Sequence, residues 1–532
     1  MSTQITRRKV IGATVTGVSA AGLLAHSSAA VQAQGLRIAV IGSGYGGAVA
    51  ALRLAKAGKT LDLIEMGADW ESMPAQDGLV FTRMAAPSER SMWFKTKTDM
   101  PFSKIFGIEI INRKIKPAAG VLDVENFGFM KVYVGRGVGG GSLVNGGMAV
   151  TPSQSFFKKV LPRVDADQMY RTYFPRALQE LKVSDPPKDF VGSSKFYEFT
   201  RVGAAQAAKA GIKSRFIPNV YDWDYMRLES FKREPRSGLA GQVIFGNDYG
   251  KRSLPKTILA QARATGKVRL KALTEVEQIF RQKNGTFKLK LKTIDFTGKV
   301  LKTEEKIYDR VILAAGSTGT SKLLLKARQS GSIDGLPPET GKKWGPNGNI
   351  MLARYAKENT GTYQSGIPAM GISNWDDSPA SVFAELAPFP IGIELRTSLY
   401  LAISNNDRLG EFSWDEQAKA VKLSWTQQDS APSVAAVKNF FDRINASNAG
   451  SSYRSDLFAD QKIFSDYFTY HPLGGMVLGE ATDLNGEVKG VPGLFVMDGS
   501  LIPGKIGVNP FVTITALAER NMDRLLSIGR FG

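Results

Sequence analysis

The segment Leu36–Gly58, LRIAVIGSGYGGAVAALRLAKAG, constrains the fold of this chain more than any other. Leu36 to Ile41 reads as a parallel strand buried on both faces, because its apolar run does not alternate. Gly42-Ser43-Gly44-Tyr45-Gly46-Gly47 follows as G-x-G-x-x-G, and then a helix with Ala, Leu and Val on one face. Gly42 permits the tight turn, Gly44 lets a pyrophosphate approach the backbone, and Gly47 lets the helix pack closely on the sheet. The helix N-terminus offers free amides and a partial positive charge to phosphates. A second strand, TLDLIEMG, carries Glu65, 23 residues beyond Gly42, where an acid accepts hydrogen bonds from a ribose 2′-hydroxyl. Strand, glycines, helix, strand and acid in this order predict a dinucleotide site. The acid selects NAD or FAD over NADP.

The rest of the chain separates those two. A nicotinamide enzyme completes its sheet soon after the fingerprint. Here a second glycine-rich stretch, VYVGRGVGGGSLVNGGMAV, comes at Val132–Val150. A late strand leads into Ala-Ala-Gly-Ser and a helix within Lys306–Gly331, and another strand, with Asp498, closes the chain before a terminal helix. Nucleotide-binding pieces thus recur with other sequence inserted between them, which suits a large FAD protein. The expected fold is α/β: a discontinuous, Rossmann-like FAD-binding domain plus a substrate-binding domain built on a β-sheet with helices. The FAD-binding domain is expected over 34–75, 120–150, 245–330 and 465–532. The substrate domain is expected over 76–119, 151–244 and 331–464. VRLKALTEVEQIF and TFKLKLKTIDF alternate as strands do and are assigned to the FAD-binding part.

Residues 1–33 are expected to be an export signal. Arg7-Arg8 precede a weakly apolar run too short and glycine-rich to span a bilayer, and a small-residue pattern ends at Ala33. The paired arginines resemble a twin-arginine signal, so the protein is expected to be exported, periplasmic or secreted. The chain has no cysteine and two histidines, His26 and His471. Disulfides, thiolate chemistry and multi-histidine metal sites are therefore excluded, and no metal is expected. The charge is +20, and would be +17 without Arg7, Arg8 and Lys9. That excess suits contact with an anionic membrane surface. No compact basic block with interleaved aromatics speaks for nucleic acid, and a monomer is expected.

Gly135-Arg136-Gly137-Val138-Gly139-Gly140-Gly141-Ser142-Leu143-Val144-Asn145 resembles the first signature of the glucose–methanol–choline oxidoreductase family, and Gly316–Gly331 resembles its second. FAELAP, YHPLGGM and DGSLIPGKIGVNPFVTITALAER resemble the versions in its bacterial cholesterol oxidase branch with non-covalent FAD. Met476 departs from that branch, where a cysteine is expected. The resemblance implies oxidation of the 3-hydroxyl of cholesterol or a related sterol. Dioxygen would be the acceptor, giving hydrogen peroxide, and the 5-ene would then isomerise to cholest-4-en-3-one. It implies that His471 positions the sterol hydroxyl and assists its deprotonation, that Glu385 moves the isomerisation proton, and that Asn509 tunes the flavin. Further cofactor contacts are implied at Gly146, Met148, Val276, Gly316, Asp498, Gly499, Pro510 and Phe511, besides the fingerprint residues, Gly135, Arg136, Gly139–Gly141, Ser142, Asn145 and His471.

The residues agree with those roles on their own chemistry. Imidazole exchanges hydrogen bonds with an alcohol near neutral pH. Phe468 and Tyr470 suit an apolar wall. Glu385 stands in the apolar stretch SVFAELAPFP, where burial without a partner would raise its pKa. An ion pair with Arg396 is the structural alternative. Asn509 precedes Pro510, which holds its backbone extended. RSMWFKTKTDMPFSKIFGIEIINRK, with Trp93, Phe94, Phe102, Ile105 and Phe106, is expected to be either an apolar lid that opens at a membrane or plain core. The competing readings are a same-family enzyme for another hydrophobic alcohol, an exported NAD enzyme, and a non-catalytic lipid-binding module that keeps FAD for stability.

Overall fold

The computed structural model describes residues 35–102, 104–106, 108–109, 111–375 and 380–532. The expected export signal lies outside the described residues. The first strand forms at Ile38–Ile41 and its helix at Tyr45–Lys56. All four strand residues are buried, because the strand is central in a five-stranded parallel sheet. The order across that sheet is Leu494–Val496, Arg310–Leu313, Ile38–Ile41, Leu61–Ile64, Val268–Lys271. Val40 stands opposite Leu63 on one side and Ile312 on the other. The turn after the strand tolerates only glycine at Gly42. Its φ is +95°, and a Cβ there would lie 2.3 Å from the Ala314 carbonyl oxygen. Helix Tyr45–Lys56 packs against Ile258–Ala264 and against the terminal helix Phe511–Ser527.

A three-stranded antiparallel sheet of Thr274–Arg281, Phe287–Ile294 and Val300–Tyr308 follows the alternation read in the sequence. Phe287, Leu289 and Leu291 are buried. Lys290 and Lys292 on the other face pair with Glu277 and Glu275 at 3.2 and 2.6 Å.

A larger antiparallel sheet runs Ser452–Arg454, Asn349–Tyr355, Thr397–Ser404, Val382–Ala387, Met370–Ser373, Lys213–Phe216. Strand Val382–Ala387 is buried throughout, and its two faces differ in use. Val382, Ala384 and Leu386 pack with Phe440 and Phe441 of helix Gln427–Ala446. Side chains alternate along a strand, so Phe383, Glu385 and Ala387 point the other way. Glu385 and Ala387 line a cavity on that side. One apolar strand thus delivers a carboxyl to an interior space. Residues Leu36–Gly532 form one compact unit. The parallel sheet draws its strands from 34–75, 245–330 and 465–532, and the large sheet from 151–244 and 331–465. No helix among the described residues is long and apolar enough to cross a membrane.

Candidate active site

A cavity of about 510 Å³ runs from the carboxyl ends of the parallel strands to the large sheet. Expected residues that line it are Gly42, Ser43, Gly44, Tyr45, Gly46, Glu65, Gly135, Arg136, Gly140, Gly141, Asn145, Gly146, Val276, Gly316, Asp498, Gly499, Pro510 and Phe511, together with His471, Glu385 and Asn509. Four expected cofactor residues do not line it. Gly47 seats the helix instead, since a Cβ would meet the Gly42 carbonyl oxygen at 2.0 Å. Gly139 abuts Pro255, and Met148 is core. Ser142 Oγ donates to the Gly139 carbonyl at 2.7 Å and accepts from Leu254 N–H at 3.1 Å. These residues shape the loop from behind.

The glycine end fits a dinucleotide cofactor. A Cβ added at Gly44, Gly141 or Gly316 would touch nothing within 4 Å, so bare backbone faces open space. Helices Tyr45–Lys56 and Gly316–Gln329 both begin at the cavity wall, as anion sites do. Two acceptors, Asn145 Oδ1 and Asn509 Oδ1, are buried with no partner among the described residues. A cofactor with N–H or hydroxyl donors would satisfy them.

The acids at this end have second duties. Glu65 Oε2 accepts from Ser43 N–H at 3.0 Å and Ser43 Oγ at 2.7 Å, and Oε1 accepts from Gly67 N–H at 2.9 Å. It holds the glycine turn from inside, with acceptor capacity left for a ribose hydroxyl. Burial pushes its carboxyl up, against these three bonds. Asp498 likewise accepts from Ser500 N–H, Thr320 Oγ1 and Gly316 N–H at 2.9, 2.6 and 3.0 Å, which staples the second glycine helix to the chain's last strand. Burial works against the charge on Arg136, but Asp123 and Glu125 outweigh it and hold the guanidinium above its ordinary range. Those bridges are 2.8 and 2.6 Å, and Lys322 adds a third to Glu125 at 2.7 Å. Glu125 and Lys322 also line the cavity, and the sequence held no signal for either.

The other end is apolar, with Phe102, Met351, Leu399, Leu401 and Tyr470. Phe468 does not join that wall. It is buried core, edge-on to Tyr133 and Tyr470. The loop after His471 turns at Gly474 and Gly475, with φ of +87° and +108°. The ring is oriented by Asn349, a residue no motif had marked. Asn349 Oδ1 accepts from Thr469 Oγ1 at 3.1 Å and Tyr470 N–H at 3.4 Å, which turns its Nδ2 toward His471 Nδ1 at 3.0 Å. Nδ1 therefore accepts, and the proton of the neutral ring sits on Nε2. Burial lowers the imidazole to about 3, so it stays neutral at physiological pH. The ring is then a hydrogen-bond donor, and the expected help with deprotonation has no acceptor on a ring so held.

Glu385 is 5% exposed and makes no ion pair among the described residues. Arg396 Nε donates to Asn359 Oδ1 instead, at 3.2 Å. The partner of Glu385 Oε1 is Asn509 Nδ2. Burial raises the carboxyl to about 7, with the Asn509 hydrogen bond opposing. Asn347, also unmarked by any motif, fixes the Asn509 loop: its Nδ2 donates to the Val508 carbonyl at 2.8 Å and its Oδ1 accepts from Ile506 N–H at 2.7 Å. Met476 is buried beyond the turn and does not line the cavity.

Comparison with known proteins gives the family. Family models described as GMC oxidoreductase match residues 112–332 and 410–518, and one described as GMC oxidoreductase, C-terminal, matches 347–459. A cholesterol oxidase of Acinetobacter baumannii is 23% identical, over 91% of this chain and 93% of that one. A cholesterol oxidase of Mycobacterium tuberculosis is 22% identical, over 91% of this chain and 90% of that one. The solved structure of an FAD-dependent oxidoreductase from Chaetomium thermophilum superimposes with a TM-score of 0.63 at 13% identity, covering 93% of this chain and all of that one. The chain therefore belongs to the GMC oxidoreductase family, FAD-binding flavoproteins that act on CH–OH groups, and is similar to the cholesterol oxidases.

Proposed function

We propose that this enzyme oxidises the 3-hydroxyl of cholesterol and related sterols with dioxygen, and then isomerises the product to the conjugated 4-en-3-one. The first step converts the carbinol and dioxygen to the 3-ketone and hydrogen peroxide. The second moves a proton from C4 to C6 with no change in oxidation level. The observation that carries the reading is Glu385. Oxidation of a plain alcohol does not call for a buried carboxyl near pH 7 with no cation beside it among the described residues, whereas an allylic proton shuttle needs one.

The residues that would hold FAD are the Ser43–Gly46 turn, Glu65, the Gly140–Gly141 and Asn145–Gly146 backbone, and Asp498 to Phe511. The chemistry supplied by bound FAD is acceptance of a hydride and its return to dioxygen as peroxide. With no cysteine, and His471 left to the substrate, a covalent flavin link through either residue type is not expected. His471 Nε2–H donates to the hydroxyl oxygen and fixes the carbinol carbon. Glu385, ionised, takes the C4 proton and returns it at C6. Asn509 holds Glu385 through Nδ2 and leaves Oδ1 for the cofactor.

Glu385 can be tested alone with cholest-5-en-3-one, which needs no redox step. A base must be ionised to act, and this one titrates at about 7. The isomerisation rate should rise up to tenfold per pH unit below about pH 7 and level off above it. A flat profile would remove Glu385 as the base.

Sterol reaches the cavity from lipid. Phe102 and Ile105 of the expected lid are buried, and Phe102 stacks edge-on at 5.4 Å against Phe389. Phe106 and Ile108, at the hairpin tip after Lys104, are 73% and 64% exposed, with the Arg454 guanidinium 5.5 Å from the Phe106 ring. An apolar tip among cations suits transient contact with an anionic bilayer. Phe106→Ser should slow turnover of sterol in anionic vesicles several-fold and leave detergent-dispersed sterol unaffected. Equal slowing of both would count against contact. Export by the Arg7-Arg8 segment belongs to the same proposal, since membrane sterol then lies outside the cell.

A further inference from the structure

Lys251 is 1% exposed and has no carboxylate partner among the described residues. Its Nζ donates to two backbone carbonyls, those of Asn145 and, at 3.4 Å, Leu143. The charged group that acts on it is another cation, Lys256, whose own Nζ donates to the Asp248 carbonyl. Burial, with Lys256 adding repulsion, holds the Lys251 amine well below the usual lysine range. Tyr221 pairs with Lys251 across an isolated bridge, and Tyr45 lies beyond Asn145. Neither brings a negative charge, because burial pushes both phenols up.

Val144, Asn145, Gly146 and Gly147 line the cavity. The Asn145 carbonyl belongs to a residue of the cavity wall, and Leu143 is the buried core residue just before that stretch. Asn145 Nδ2 donates to Tyr45 Oη at 2.6 Å, Tyr45 stacks on Phe511 at 5.0 Å, and Asn145 Oδ1 is the partnerless acceptor already described. A buried amine thus stands one peptide behind a wall built for an anionic cofactor.

We propose that Lys251 is a positioning residue whose counter-charge is the bound cofactor: binding of FAD is accompanied by uptake of one proton from solvent at Nζ, which locks the Leu143 and Asn145 carbonyls in place. The proposal rests on reading the cavity as the FAD site. A nearby anion favours the charged amine, so the bound state has the higher pKa. FAD affinity is then full and flat below the amine's FAD-free pKa. It weakens up to tenfold per pH unit as pH rises toward the FAD-bound pKa, and is flat again above it.

The test is FAD release from diluted holoenzyme, followed by flavin fluorescence between about pH 6 and pH 9, below the ordinary lysine range. Glu385 also faces the cavity and titrates near 7, so the comparison is made in Glu385→Gln protein with and without Lys251→Met. Glu65 and Asp498 carry raised pKa values of their own, and their contribution is common to both proteins. With Lys251 present, affinity should fall as pH rises. With Lys251→Met, it should be weaker at the acid end and lose that slope. Calorimetry in two buffers of different ionisation heat should count one proton fewer in the variant. A loss of affinity equal at every pH, with an unchanged proton count, would make Lys251 merely structural and overturn the proposal. If the double variant does not fold, the single Glu385→Gln protein still decides, because affinity that does not weaken with pH overturns the proposal. Failure to retain FAD at any pH would overturn the FAD reading itself, a distinguishable result.

Discussion

Glu385→Gln should separate the two reactions. The amide keeps the shape of the side chain, and Asn509 Nδ2 can still donate to its carbonyl oxygen. What is lost is the proton acceptor. Removal of a positioned acid–base group costs about 10²–10⁴-fold. Isomerisation should fall within that range, while sterol oxidation and peroxide release continue within a few-fold. Cholest-5-en-3-one would then accumulate, measurable by chromatography of quenched samples. Conjugated enone formed at the normal rate would show that Glu385 is not the shuttle. Equal loss of both steps would give the carboxyl a role in oxidation.

His471→Ala should remove most sterol oxidation and keep FAD. Loss of one aimed hydrogen-bond donor costs about 10²–10³-fold. Because Asn349 fixes the tautomer and burial keeps the ring neutral, the wild-type oxidation rate should show no step near the usual histidine pKa. His471→Gln retains an N–H and should recover part of the loss. A full histidine step in the pH profile, or no recovery by glutamine, would mean that the ring acts as a base after all. Flavin absorbance checks that the variants remain loaded.

The sequence made the nucleotide-binding half legible because its chemistry is local. Gly42, Gly44 and Glu65 follow one another along the chain, each with a backbone reason for its identity. The apolar run around Glu385 was legible for the same reason: a charged residue there must go inside or break the strand. Asn349 and Asn347 were not legible. They act on His471 and on the Asn509 loop from more than a hundred residues away, and an asparagine in a strand or turn carries no mark of its partner. The tautomer of His471 depends on that distant amide, so a base and a donor look alike in sequence. Gly47, Gly139, Ser142 and Met148 show the limit of motif reading. They belong to motifs in which cofactor contacts were expected, but they do not line the cavity. The segment around Phe102 and Phe106 was offered as lid or core; its Phe102 and Ile105 are buried and its Phe106 is exposed.

The central claim is that one cavity performs oxidation and isomerisation of a sterol. Aerobic turnover of cholesterol by the purified, FAD-loaded enzyme tests it most directly, with peroxide and the ultraviolet absorbance of the conjugated enone followed in one sample. Both should appear together, one enone for each peroxide. Peroxide with another hydrophobic alcohol, and neither product with cholesterol, would contradict it and leave a GMC oxidoreductase of different substrate.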